Sequence, residues 1–289
     1  MPRDDPGAAV SAIQAALPGF DVRTATPSDT GWDAFVVEVN GSWIFRFARD
    51  ENAARTFRME AALLPHVAPV LPAPVPLYVH VVEEPAFFVA YRKIDGFAPR
   101  PDGPGLESGG RDLGRFLAAL HAFPVEQARS LGVPGGDASD WRDEQEALVG
   151  GLTRRVLPLL PSDMAERAAA AFRAFLDEDS NFAFEPALIH YDVGPGNLLF
   201  DVEGRLSGVL DWSDAAIGDP AADLAWALHG AEASFAAAVR ASYPADPALE
   251  RRARFFHAIG PWHEVVHGQD THNAGWIETG LEGVLSRLR

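Results

Sequence analysis

The hydrophobic pattern of this chain changes period once, and the change falls at a stretch of glycine and proline. Up to about residue 92 the apolar runs are short and β-branched or aromatic, with one helical stretch among them. From Gly96 to Gly110 glycine and proline dominate, which marks a connection between two bodies rather than a folded element. After that connection, apolar residues recur mostly at helical spacing. The pattern predicts an α+β chain in which a small strand-rich body precedes a larger helical one.

Within the first body, residues 35–39 and 43–47 read as strands flanking Asn40-Gly41, a dipeptide suited to the positive φ of a tight hairpin. A helix should follow, capped by Asp50 or Asn52, with Phe57, Ala61 and Leu64 at helical spacing, Glu60 beside them and Pro65 ending the run. The prolines from Pro69 to Pro76 predict an extended stretch leading to a strand over 86–91. In the second body helices are expected around 113–120, 141–160, 164–176, 221–229, 231–243 and 247–269. One interruption stands out. Residues 187–190, 198–200 and 206–210 are short apolar runs around Gly194, Gly196 and Gly204, so a small β element carrying polar residues is expected inside the helical body.

Composition narrows the chemistry. The 289 residues include no cysteine, which removes disulfides, thiol nucleophiles, iron–sulfur clusters and cysteine zinc sites together and points to the cytoplasm. The amino terminus has no basic-then-apolar leader, and the most apolar stretch, 67–82, carries four prolines, so neither export nor a membrane span is expected. With 24 basic against 41 acidic residues the formal charge is −17, which disfavours nucleic acid and suits a cationic small molecule, although such a charge also serves solubility. Lys93 is the only lysine. Because Ile94 follows it, a P-loop is excluded, and Schiff-base chemistry would fall to Lys93 alone.

The most informative segment lies in the interruption. His190-Tyr191-Asp192-Val193-Gly194-Pro195-Gly196-Asn197 matches H-x-D-x-x-x-x-N, and Asp211 follows Asn197 by fourteen residues between Leu210 and Trp212. Phosphoryl transfer uses such a set: one carboxylate accepts the proton of an attacking hydroxyl, while an amide and a second carboxylate hold magnesium against phosphates. Asp192 is assigned the base, and Asn197 and Asp211 the metal. A hairpin over 198–210, turning near Glu203-Gly204, would bring Asp211 back to Asn197. The plainer alternative is a loop Asp and Asn in local turn hydrogen bonds, with His190 a satisfied core residue.

At these residues the chain resembles the aminoglycoside phosphotransferase family, small-molecule kinases with the protein-kinase fold. The segment Leu210-Asp211-Trp212-Ser213-Asp214 through Gly218-Asp219-Pro220 to Asp223-Leu224 is similar to the family's most specific stretch. Toward the amino terminus, Gly31-Trp32-Asp33 looks like the nucleotide-covering hairpin, and Trp43-Ile44-Phe45-Arg46-Phe47 like the strand bearing the phosphate-binding cation. Glu60 is similar to that cation's helical partner, and Tyr91-Arg92-Lys93-Ile94-Asp95-Gly96 to the interlobe hinge, with Arg92 and Ile94 facing nucleotide. Toward the carboxyl terminus, Phe255-Phe256-His257, Gly260-Pro261-Trp262-His263-Glu264 and Gly280-Leu281 resemble the closing helices of aminoglycoside 2''-phosphotransferases. The resemblance spans nearly the whole chain and is weakest over 106–180. Two departures matter: Arg46 stands where lysine is usual, and Tyr191 stands where glycine or asparagine is usual and is expected to crowd the loop.

The resemblance implies a two-lobed protein-kinase-like fold with an amino-terminal lobe over 1–92, a hinge over 93–96 and a carboxyl-terminal lobe over 97–289. It implies an O-phosphotransferase using Mg2+ and ATP or GTP, acting as a monomer on a cationic small molecule. Arg46, oriented by Glu60, would hold phosphates, and His190 would orient the loop. An aminoglycoside acceptor comes first, then a macrolide, whose kinases also carry arginine-bearing strands, then a natural metabolite. Asp214 and Glu264 would meet ligand amines. Trp262 and Trp276 would stack on sugar rings, with core packing the alternative. Asp219 and Asp223 are read as caps of the following helix.

Two readings from other classes remain. His263-Glu264-Val265-Val266-His267 is a formal H-E-x-x-H and would make a zinc hydrolase if a third ligand were present. A nucleotide-binding pseudokinase would follow if Arg46 spoils turnover. Gly103, Gly105, Gly109 and Gly110 do not spell G-x-G-x-x-G and are attributed to loop flexibility.

Overall fold

The computed structural model describes residues 5–28, 34–100, 103 and 105–288. Gly31, Trp32 and Asp33, expected to cover the nucleotide, lie outside the described residues. The first part is a five-stranded antiparallel sheet with a helix on each face. Its elements are α1 (Pro6–Ala16), β1 (Ala25–Ser28), β2 (Ala34–Val39), β3 (Trp43–Ala48), α2 (Glu51–Val67), β4 (Tyr78–Val82) and β5 (Phe88–Arg92), and the strand order is β1-β2-β3-β5-β4. The sequence pattern missed α1, β1 and β4. α1 is short and alanine-rich, capped by Asp5, and β4 exposes alternate residues such as Val79 and Val81 as an edge strand does.

The hairpin between β2 and β3 turns where expected, with Asn40 at φ 54° and Gly41 at φ 67°. Period-two alternation then sorts β3. Phe45 and Phe47 are buried against α1's Ala9, Ala12 and Ile13, whereas Ala48 joins α2's Ala53, Ala54 and Phe57 on the other face. Asp50 caps α2 by accepting from the Ala53 amide at 2.9 Å. The expectation that Pro65 ends this helix is corrected: α2 runs on to Val67. The missing N–H falls in the last turn, and the Ala68 amide still closes on the Leu64 carbonyl at 3.0 Å.

The larger helical part contains α3 (Leu106–His121), α4 (Val125–Ser130), α5 (Ala138–Val156), α6 (Ser162–Leu176), α7 (Ala225–His229), α8 (Ala233–Ser242), α9 (Pro247–Asp270) and α10 (Ala274–Arg287). Between α6 and α7 lie β6 (Ala187–Ile189), β7 (Leu198–Phe200), β8 (Leu206–Val209) and β9 (Ala216–Gly218). β7 and β8 form an antiparallel hairpin, and β6 pairs with β9, so the interruption holds two small ribbons. Gly109 and Gly110 are not flexible loop residues, as the composition suggested. They sit in α3, where a Cβ on Gly110 would lie 2.4 Å from the Phe235 carbonyl and one on Gly109 2.8 Å from the Gly204 carbonyl. Their role is close packing of α3 on α8 and on the β7–β8 turn.

Backbone hydrogen bonds tie the segments leading into β4 and out of β5 to the β7–β8 hairpin. The Val209 amide donates to the Pro74 carbonyl at 3.0 Å, and Phe97 and Phe200 exchange amide–carbonyl bonds of 2.8 and 2.9 Å. Ser207 Oγ donates to the Asp95 carbonyl at 2.8 Å. Leu63, Leu64 and Val67 of α2 belong to the same apolar core as Leu113, Phe116 and Trp212, so α2 rests on both parts. No helix among the described residues is long and apolar enough to cross a membrane.

Candidate active site

The alternation that buries Phe45 and Phe47 turns Arg46 toward α2, where Glu60 follows Phe57 by three residues on the same helical face. Arg46 Nη1 donates to Glu60 Oε2 at 2.9 Å and to the Tyr78 hydroxyl at 3.1 Å. Its other arm, Nη2, donates to Asp211 Oδ1 at 2.9 Å. The Tyr78 hydroxyl in turn donates to Glu60 Oε2. The guanidinium carbon lies over the Phe57 ring, 4.8 Å from its centroid, a cation–π contact.

Electrostatics follow from burial and pairing. Burial alone would lower the pKa of Arg46, but Glu60, Tyr78 and Asp211 outweigh it and hold the guanidinium firmly charged. Burial pushes Glu60 up against the pull of Arg46. Asp211 moves the other way: burial opposes ionisation, yet Arg46 and the Ser213 hydroxyl, which donates at 2.8 Å, bring it below the usual carboxylate range.

Asp192 and Asn197 form a second group. Asn197 Nδ2 donates to the Asp192 carbonyl at 2.9 Å and to Asp192 Oδ2 at 2.7 Å, so its amide nitrogen is spent on Asp192. The amide oxygen is the atom left for a cation. The Leu210 amide donates to the Asn197 carbonyl at 2.8 Å, which seats Asp211 one residue beyond the Asn197 strand. The β7–β8 hairpin therefore returns the chain to Asn197 as its length suggested.

His190 is fully buried beneath this loop. The Asp192 amide donates to its Nδ1 at 3.3 Å, so Nε2 carries the proton and donates to the Leu210 carbonyl at 2.8 Å. Its ring meets Trp212 edge-on at 4.9 Å. Both ring nitrogens are thus committed to backbone.

Asp223 has another role than the cap expected of it. It does not cap α7; its carboxylate accepts from the His190 amide at 2.8 Å and the Tyr191 amide at 2.6 Å, and from His121 Nε2 at 3.0 Å. His121 is itself held by the Tyr243 hydroxyl at 2.8 Å. Asp219 pairs with buried Arg252 at 2.7 Å rather than serving only as a cap. Tyr191 does not crowd the loop either. Its backbone takes φ 69°, the region that glycine and asparagine adopt most easily, and its ring packs at 5.4 Å from Trp141, with Gln145 Nε2 donating to its hydroxyl at 3.4 Å.

The remaining expected site residues are scattered. Arg92 is exposed and stacks its guanidinium 3.9 Å from the Trp43 ring centroid. Ile94 is half-buried against Gly208, where a Cβ would come within 2.6 Å of it. Lys93 is paired with Glu38 at 2.6 Å. Asp214 is exposed three residues beyond Asp211. Trp262 is corrected from sugar platform to core: it is 1% exposed and packs on Phe172 at 4.8 Å. Trp276 is 39% exposed and meets His267 edge-on at 5.9 Å. Glu264 exerts its charge on Arg287, whereas His263 feels the Asp192 carboxylate, which opposes the downward shift that desolvation imposes on its ring. Among the described residues no three His, Cys, Asp or Glu side chains converge as a metal-binding group.

The curated relatives match in part. A viomycin phosphotransferase from Streptomyces vinaceus is 32% identical over 122 residues, 41% of this chain and 40% of that protein. An uncharacterised protein, YcbJ, from Bacillus subtilis (strain 168) is 28% identical over 113 residues, 39% of this chain and 35% of that protein. These alignments thus span two fifths or less of the relatives' own lengths. Solved structures match end to end. The GDP complex of wild-type aminoglycoside 2'-phosphotransferase-IIIa superposes with a TM-score of 0.87 at 25% identity over 98% of both chains. The GDP and kanamycin complex of the 2''-phosphotransferase-IIIa gives 0.86 at 26% identity, covering 97% of this chain and 98% of that one. A macrolide 2'-phosphotransferase from Brachybacterium faecium, at 22% identity and a TM-score of 0.75 over 97% of this chain and 98% of its own, shares the fold. The sequence profile of the phosphotransferase enzyme family matches residues 24–256, and with most of its length inside that match the chain belongs to this family.

Proposed function

We propose that this enzyme transfers the γ-phosphoryl group of a nucleoside triphosphate to a hydroxyl of a cationic antibiotic, an aminoglycoside first of all. The observation that supports the reading is the Asn197–Asp192 hydrogen bond on a loop whose following hairpin brings Asp211 to Arg46 of β3, a carboxylate suited to a base near a cation suited to phosphate. In the transfer, Asp192 accepts the acceptor's hydroxyl proton as its oxygen bonds to the γ-phosphorus. The bond from that phosphorus to the bridging oxygen breaks, and nucleoside diphosphate leaves. Arg46 Nη2 stabilises phosphate charge, and His190 and Asp223 hold the loop in register for the proton transfer.

Asp211, ionised by its surroundings, and the amide oxygen of Asn197 are hard oxygen donors of the kind Mg2+ takes, and they would hold it. When bound, the ion supplies charge neutralisation at the phosphates. A hinge role for Arg92 and Ile94, and contact of Asp214 with an acceptor amine, belong to the same proposal, as does a cytoplasmic site of action where nucleoside triphosphate is available. The formal charge of −17 supports a cationic acceptor. GDP in the similar aminoglycoside phosphotransferase structures favours testing GTP beside ATP. The partial likeness to a viomycin phosphotransferase supports viomycin as the second acceptor to try.

The test is nucleoside diphosphate release with ATP and with GTP over kanamycin, other aminoglycosides, viomycin and macrolides. Acceptor-dependent release with at least one of them is expected. Nucleotide binding without release for any acceptor would favour a non-catalytic role.

A further inference from the structure

The strand cation of this site has a third partner that neither the sequence pattern nor the family resemblance supplied. We propose that Tyr78 is a positioning residue of the phosphate-binding group. With Glu60 it fixes the Nη1 arm of Arg46, so that Nη2 alone exchanges Asp211 for a nucleotide phosphate. The inference rests on the phosphotransferase reading above and deepens it.

Four observations converge. The Tyr78 hydroxyl accepts from Arg46 Nη1 at 3.1 Å and donates to Glu60 Oε2, closing a three-membered ring of hydrogen bonds. Glu60 Oε1 is buried without a partner, so the whole hold of Glu60 on Arg46 passes through Oε2, the atom Tyr78 also grips. The two arms sit in different surroundings: Glu60 is fully buried on the Nη1 side, while the Asp211 side chain that Nη2 meets is 39% exposed. The Phe57 ring of α2 lies 4.8 Å from the guanidinium carbon, a cation–π contact that favours the guanidinium staying where Nη1 meets Glu60.

The chemistry explains why arginine works where a lysine would otherwise serve. An ammonium is one point charge, so the atom that anchors is the atom that must bind phosphate. A guanidinium separates those tasks onto two nitrogens in a fixed plane. That separation has a requirement: something must hold Nη1 firmly while Nη2 changes partner, and a single shared carboxylate oxygen holds it in direction only if a second group locates that oxygen. The Tyr78 hydroxyl does so. Tyr78 stands on the edge strand β4 with its ring 6.1 Å from Tyr91, which braces it from the neighbouring strand.

Calorimetric titration of magnesium-bound GDP and ADP into the full chain tests this without relying on turnover. Four proteins form a cycle: wild type, Tyr78→Phe, Arg46→Gln and the double variant, each checked for an unchanged thermal unfolding transition. Tyr78→Phe should weaken nucleotide binding about tenfold, the scale for losing a hydrogen bond to a charged group. In the Arg46→Gln background the same change should cost less than about twofold, because there is no guanidinium left to aim. Should Arg46→Gln fail to fold, Arg46→Lys takes its place, with the Tyr78 effect expected to shrink to about threefold or less. Equal losses in both backgrounds, or no loss from Tyr78→Phe alone, would make Tyr78 a packing residue and overturn the inference. Failure of wild type to bind either nucleotide would instead overturn the phosphotransferase reading itself.

Discussion

Nη2 of Arg46 lies 2.9 Å from Oδ1 of Asp211, joining the sheet to the loop after β8 across 165 positions of sequence. The contact joins the cation proposed to hold phosphates and the carboxylate proposed to hold magnesium in one ion pair. On that proposal nucleotide loading is an exchange of partners rather than the filling of a preset gap.

Asp211→Asn should release that pair and remove a hard anionic donor. Magnesium-dependent nucleotide binding is expected to fall by about a hundredfold, the upper end of the range seen even when only a partner of a metal ligand is lost. The same variant should change the acid limb of stability. Because the folded pKa of Asp211 is depressed, its contribution is complete above the unfolded value near ~3.9 and is lost as pH falls below it. Urea titrations between pH 5 and ~2 should show a flatter acid limb for the variant. An identical limb in both proteins would argue that Arg46 does not favour ionised Asp211.

Asp223 anchors the backbone on which the proposed base stands. Asp223→Ala strips acceptors from the His190 and Tyr191 amides and from His121 Nε2, all in a buried setting. A loss of about 3 kcal/mol in unfolding free energy is expected, with kcat falling further than nucleotide affinity. Equilibrium denaturation and steady-state kinetics on the same preparation check both.

The two tryptophans of the carboxyl-terminal helices should behave differently. Trp262 is 1% exposed against Phe172, so Trp262→Ala should destabilise the chain by about 3–5 kcal/mol. Trp276 is 39% exposed, and Trp276→Ala should leave stability within about 1 kcal/mol of wild type. Thermal unfolding separates them; equal losses would contradict the burial described.

Local signals in the sequence were read well where the cause is local. Asn40-Gly41 states its own turn, Asp50 its own cap, and the gap from Asp192 to Asn197 its own loop. The return of the chain from Asn197 to Leu210 is legible too, because a hairpin of known length connects the two. What escaped depends on contacts distant in sequence. Tyr78 reaches Arg46 across 32 positions, and Asp223 reaches the His190 amide across 33, and the neighbours of neither residue tell which partner it meets. Gly109 and Gly110 looked like a loop because glycine carries no sign of whether it serves a turn or a close helix crossing. Trp262 looked like a platform because an aromatic near a cleft motif and an aromatic in a core share one sequence pattern.

His257 provides a pH test away from the site. Burial, helped by the nearby Arg287 cation and by His229, lowers its pKa to about 4. The unfolded ring, near ~6.5, takes up its proton first, so the folded state should lose stability as pH falls from ~6.5 toward 4 and level off below. His257→Gln should remove about 2 kcal/mol of that dependence, less than the full shift implies because the ring is partly exposed. A pH profile unchanged by the substitution would mean that His257 is hydrated as in the unfolded chain.

Asp192→Asn tests the central claim most directly, because Asp192 lies on an exposed loop and has no packing role. With the acceptor and nucleotide that give the fastest diphosphate release in wild type, turnover of the variant should fall by about 10²–10⁴-fold, the range for losing a general base. Nucleotide affinity and the unfolding midpoint should stay where they are in wild type. Turnover in Asp192→Asn equal to that of wild type would contradict the assignment of the base and, with it, the proposed chemistry of this loop.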